Sequence, residues 1–165
     1  MDLKLDVSAG DPIYPAPQII ELPAPLHGPV RLLGHPLPTV VAEKTVTVLQ
    51  RGTTSTRWRD FVDVRALART YPFNASERAT AAAAVAAHRQ VQLAPLAAVT
   101  QGCGAIAQTK WAGWVRRNDL GGSVEARFDD QLADVIAFID PVYAGQVDQA
   151  SVWDPDRYAW HDPGD

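Results

Sequence analysis

Lys44 closes the segment Thr39-Val40-Val41-Ala42-Glu43-Lys44, and the next charged segment reads Arg57-Trp58-Arg59-Asp60-Phe61-Val62-Asp63. One ammonium, two guanidiniums and two carboxylates so close along the chain are groups suited to phosphate, because guanidinium and ammonium make charge-assisted hydrogen bonds to its oxygens. A lysine on the apolar side of a helix needs an anionic partner, since an unpaired buried ammonium is costly. For Lys44 that partner is either Asp60 or Asp63 in a helix-to-helix salt bridge, or a phosphate, and spacing alone leaves both open. Asp6, between Leu5 and Val7, projects from the opposite strand face to its neighbours and could hold a divalent ion at a sheet rim.

The elements that must position these groups follow from pattern and punctuation. Leu3 to Ser8 alternates apolar and polar residues and stops at Gly10-Asp11-Pro12, which predicts a strand ending in a turn. Eight prolines between Asp11 and Pro38 exclude helix and leave short strands over 18–22 and 29–33. Pro38 suits a first helical turn and Gly52 a stop, giving a helix over about 38–50 that carries Lys44. A second helix runs from about Thr56 to Thr70 and ends at Tyr71-Pro72, because the residue before proline is pushed out of helical geometry. Asp60 and Asp63 lie three apart on one of its faces, near its positive end. Asn74-Ala75-Ser76-Glu77 reads as a capped start for a third, alanine-rich helix. Further helices are expected over about 108–118 and 124–143. The fold class is therefore α+β, in three regions: a sheet region over 1–37, a helical region over 38–145 and an acidic aromatic tail over 146–165.

The net charge of −4 hides an asymmetry. Residues 31–117 hold twelve bases against four acids, and residues 118–165 hold eleven acids against two bases. A basic middle suits a polyanion such as RNA, or else the acidic third folds back and neutralises it. Lys110, Trp111, Trp114, Arg116 and Arg117 could likewise stack on RNA bases, although tryptophans three apart on a helix more commonly enter a core. The lone Cys103, whose Gly102 and Gly104 neighbours suggest a loop, excludes an intramolecular disulfide, and the scattered His27, His35, His88 and His161 lack metal-ligand spacing. No apolar run approaches the roughly 18 residues of a membrane span, and the chain is expected in the reducing cytoplasm. Walker, dinucleotide and Gly-x-Ser-x-Gly motifs do not occur.

Taken in order, Leu5-Asp6-Val7-Ser8-Ala9-Gly10-Asp11-Pro12-Ile13, the proline-rich segment, Ala42-Glu43-Lys44 and Arg57-Trp58-Arg59-Asp60-Phe61-Val62-Asp63-Val64 resemble the C-terminal part of the AbiEii/AbiGii family of nucleotidyltransferase toxins, the mycobacterial members in particular. The resemblance covers roughly residues 3–70. It implies a DNA polymerase β-like nucleotidyltransferase fold and transfer of a nucleotide from an NTP to tRNA within a toxin–antitoxin system, with a cognate antitoxin as partner. It further implies Lys44 and Asp60 as catalytic residues and Asp6 as a metal ligand for Mg2+. Arg57 and Arg59, arginines at a helix start that oppose its dipole unless they meet an anion, are expected to bind the substrate's phosphate.

The same resemblance places a Gly-Ser loop and an Asp-x-Asp strand ahead of the Asp6 strand, and only five residues precede Asp6. Gly122-Ser123 lies too far along the chain to replace them. The expectation is a C-terminal portion of such an enzyme that lacks the first two metal-binding carboxylates and is inactive alone. The alternative is a non-catalytic, truncated remnant acting as an RNA- or antitoxin-binding helical module.

Overall fold

The computed structural model describes residues 10–24, 28–52 and 57–164. The strand expected over residues 3–8, and Asp6 with it, lies outside them. Among the described residues the architecture is α+β, six helices with two small antiparallel sheets, in agreement with the sequence.

Strands β1 (Gln18–Leu22) and β2 (Val30–Gly34) form a hairpin with Ile20 opposite Leu32, within a residue of the expected bounds. Helix α1 (Leu37–Arg51) carries Pro38 in its first turn and stops at Gly52, where φ of 53° favours glycine and the amide donates to the Val48 carbonyl. Two of its faces are buried. Val41 and Val48 enter the main core, while Ala42 and Val46 pack on α3 (Ala75–Arg89) against Ala81, Ala82 and Val85. The small alanines let the two helix axes approach closely, which sets α1 between α3 and α2 (Trp58–Thr70). Helix α2 ends at Tyr71, extended at φ −126° and ψ 142°, because Pro72 follows.

Asn74 stands at the N-cap of α3 as the sequence implies, yet its side chain makes no capping bond. The first-turn donors are satisfied from elsewhere in the chain: the Ala75 amide donates to the Ser151 carbonyl at 3.0 Å and the Ser76 amide to the Gln149 carbonyl at 3.2 Å. A short helix, α4 (Leu96–Val99), has no counterpart in the sequence reading. Its leading amides, of Leu96 and Ala97, donate to the Asp140 carboxylate at 2.7 and 3.0 Å.

Helix α5 (Cys103–Arg117) starts ahead of the expected Gln108, and α6 (Phe128–Tyr143) later than the expected Val124. Gly102 and Gly104 read as loop punctuation, but they begin a helix. Gly102 sits at φ 73°, and a Cβ on Gly104 would fall 1.4 Å from an Asp129 carboxylate oxygen on α6. Trp111 is core, fully buried with its ring nitrogen donating to the Glu125 carbonyl at 3.0 Å and stacked on the half-buried Trp114. Arg78 on α3 is fully buried with its guanidinium over the Phe138 ring.

Strands β3 (Phe73–Asn74), β4 (Val152–Asp154) and β5 (Ala159–His161) make the second sheet in that order. Its centre is Trp153, fully buried among Phe138, Tyr158 and Trp160. The acidic third does fold against the basic middle: Arg65 of α2 donates to Asp134 at 2.6 Å and pairs with Glu125, and Arg69 reaches Asp134 at 3.1 Å. Among the described residues no helix is long and apolar enough to cross a membrane.

Candidate functional site

Lys44 projects from the middle of α1 towards the start of α2. Its ammonium donates to Asp63 Oδ2 at 2.7 Å and to Asp60 Oδ1 at 3.2 Å. Burial alone would lower the lysine's pKa; the hydrogen bonds and charges of Asp63 and Asp60 more than offset it, and the net shift is upward. Lys44 is therefore held charged. Asp60 lies in the first turn of α2, where the positive helix end favours a carboxylate. It is almost fully buried, and among the described residues its Oδ2 accepts no hydrogen bond. Arg57 Nη1 lies 3.8 Å from that oxygen and is largely exposed, so its guanidinium can turn onto a ligand. Arg59 is exposed and does not line the cleft that these groups share.

That cleft, of about 150 Å³, is walled by Glu43, Lys44, Thr47, Arg57, Asp60 and Arg89. Arg89 carries no motif signal; its only cue is a place in the last turn of α3, where a cation suits the helix end. It donates from Nε to Asp11 Oδ1 and from Nη1 to Thr47 Oγ1, both at 2.8 Å. The Asp11 carboxylate thereby ties the proline-rich segment to α3. Glu43 has its pKa raised, first by burial and then by the negative charge of Asp11, while His35, 3.8 Å away, opposes the shift. Three cations thus meet four carboxylates, Asp11, Glu43, Asp60 and Asp63, of which Glu43 is pushed towards its neutral form.

The hydrogen bond from Arg89 holds the Asp11 carboxyl below the usual carboxylate range, against the opposing effect of burial. A depressed acid contributes stability that is present above its unfolded pKa and lost as pH falls through its folded one. Asp11→Asn is expected to cost about 1 kcal/mol at pH 7, with the deficit disappearing in strong acid. Urea midpoints of both proteins at pH 7 and pH 2.5 measure this; a deficit that persists unchanged at the lower pH contradicts it.

A divalent ion requires several oxygen ligands without competing cations. Here Asp60 and Asp63 are taken up by Lys44 and Arg57, and among the described residues no group of three His, Cys, Asp or Glu could hold a metal ion. The cleft's donor set fits an anion and does not fit a metal. Of the site residues named from the sequence, the structure brings Lys44, Asp60 and Arg57 together and leaves Arg59 at the surface; Asp6 lies outside the described residues.

Comparison with curated proteins and with solved structures gave no match. A family model described as nucleotidyl transferase AbiEii toxin, type IV TA system, matches residues 1–152. The match runs well past the 3–70 stretch that carries the recognisable motifs, through α6 to the start of β4. Nucleotidyltransferases generally use divalent metals, and a nucleotide substrate and a cognate antitoxin accompany such a toxin. The chain belongs to the AbiEii nucleotidyl transferase toxin family.

Proposed function

We propose that the Lys44 cleft receives the triphosphate of an NTP whose nucleotide is destined for tRNA, and that these 165 residues alone do not complete the transfer. The observation that carries this reading is the convergence of the Lys44 ammonium with Arg57 and Arg89 on one cleft. Lys44 neutralises phosphate charge, Arg57 contacts phosphate oxygens and Asp60 orients Lys44, while Arg59, outside the cleft, is assigned to the parts of the substrate that extend beyond it. The Mg2+ chemistry of the family calls for clustered carboxylates, and the cleft's acids are committed to cations. Asp6 is assigned to metal binding on the family resemblance.

A second reading, a non-catalytic module that binds an antitoxin or RNA, draws support from the β1–β2 hairpin. Ile19 and Leu33 there are 59% and 68% exposed. Apolar surface of that kind suits a protein partner better than RNA.

Incubating the chain with magnesium, each labelled NTP and total tRNA separates activity from ancestry. No incorporation is expected. Metal-dependent labelling that disappears in Lys44→Ala would overturn the proposed inactivity.

A further inference from the structure

Along α1 the residues Leu37, Val40, Lys44 and Thr47 follow the three-to-four spacing of one helical face, and each lines one of three adjoining clefts. The phosphate cleft shares Lys44 with a second cleft of about 370 Å³, whose walls are the apolar Val40, Ala66 and Leu67 and whose far end is Tyr71. Tyr71 also opens the third and largest, about 610 Å³, where Leu37, Phe73 and prolines form the walls and Gln18, Asn74 and Glu77 supply polar edges. The surface is thus one track that is cationic at one end and apolar, then polar-edged, at the other.

Tyr71 occupies the junction. It is 44% exposed, at the extended residue that ends α2, and Pro72 fixes the chain beyond it. Of the other aromatic residues near the end of this helix, Phe73 and Trp153 are core, and Tyr158 is partly buried beneath the Arg69 guanidinium. From Asp63, which bonds Lys44, to Tyr71 is eight residues of chain, about 12 Å of helix rise, a length that a nucleoside triphosphate bridges. Aromatic faces take bases of any sequence by stacking, and amide or carboxylate edges then select among them.

We propose that Tyr71 is the stacking platform for the base of the bound NTP, with Gln18, Asn74 and Glu77 as the groups that read the base edge. This rests on the phosphate reading of the Lys44 cleft and extends it to the nucleoside. The test is calorimetric titration of the full chain and of Tyr71→Ala and Tyr71→Trp with each of the four NTPs, with inorganic tripolyphosphate, and with a short single-stranded RNA. Tyr71→Ala is expected to weaken NTP binding about tenfold, the scale of one base–aromatic stack, while tripolyphosphate affinity stays unchanged. Tyr71→Trp, which keeps an aromatic face, is expected to remain within about twofold of the parent.

Equal weakening of NTP and tripolyphosphate by Tyr71→Ala, or no weakening of NTP, overturns the platform. An effect confined to the RNA overturns it too, since the acceptor would then occupy the track. If tripolyphosphate fails to bind the unmodified chain while NTPs bind and depend on Tyr71, the platform stands and the phosphate reading falls.

Discussion

Trp153→Ala should lower the unfolding free energy by about 3–5 kcal/mol, a large part of the roughly 5–15 kcal/mol that holds an ordinary domain together. The indole is fully buried, with ring centroids of Phe138, Tyr158 and Trp160 at 4.8, 4.9 and 5.5 Å. Its ring nitrogen donates to the Ala68 carbonyl at 2.7 Å, near the end of α2, so truncation leaves both a cavity and an unpaired acceptor. Trp153 also pairs with Phe73 across β3 and β4, and the adjoining Ser151 and Gln149 carbonyls take the first amides of α3. Hydrogen exchange at Ala75 and Ser76 is therefore expected to accelerate in the variant. A loss below about 1 kcal/mol in urea denaturation, the scale of an average point mutation, would mean that the second sheet only decorates the helices.

Lys44→Ala carries the second large effect, and it has two readouts. Removing one member of a buried ion pair costs about 3–5 kcal/mol because the other charge stays behind unpaired. Lys44 keeps a fifth of its side chain exposed and Asp63 about two fifths, which reduces the expected loss to about 2–3 kcal/mol. Asp60 bears most of that loss, because its buried carboxylate loses the one hydrogen bond it takes from the described residues. Adding Asp60→Asn to Lys44→Ala is accordingly expected to recover part of the stability, as a neutral amide is cheaper to bury. It should not recover phosphate affinity. Stability then partly returns in the double variant while binding does not, a separation that an ion pair with a purely structural role does not produce.

The helices that build the cleft were legible because proline and glycine punctuate them. Pro38, Gly52 and Tyr71-Pro72 fix α1 and the end of α2 to within a residue or so, and Lys44 with Asp60 follows from those bounds. The second sheet was not legible. Phe73–Asn74 is too short to show a period of two, and its partner Val152–Asp154 lies far along the chain, so nothing local marks Trp153 as the centre of a core. Gly102 and Gly104 misled for a different reason, since the Asp129 side chain that closes over Gly104 from α6 is a tertiary contact. Arg89 stayed hidden in the same way. Its role comes from Asp11 and Thr47, which only the fold brings to it.

Whether the Lys44 cleft is a phosphate site is tested most directly by equilibrium binding of a labelled NTP to the full chain and to Lys44→Ala, under conditions where both remain folded. Saturable binding that weakens at least tenfold in the variant, a change of about 1.4 kcal/mol, is the predicted result. Equal affinity in the two proteins would contradict it and leave Lys44, Asp60 and Asp63 as a salt bridge between helices.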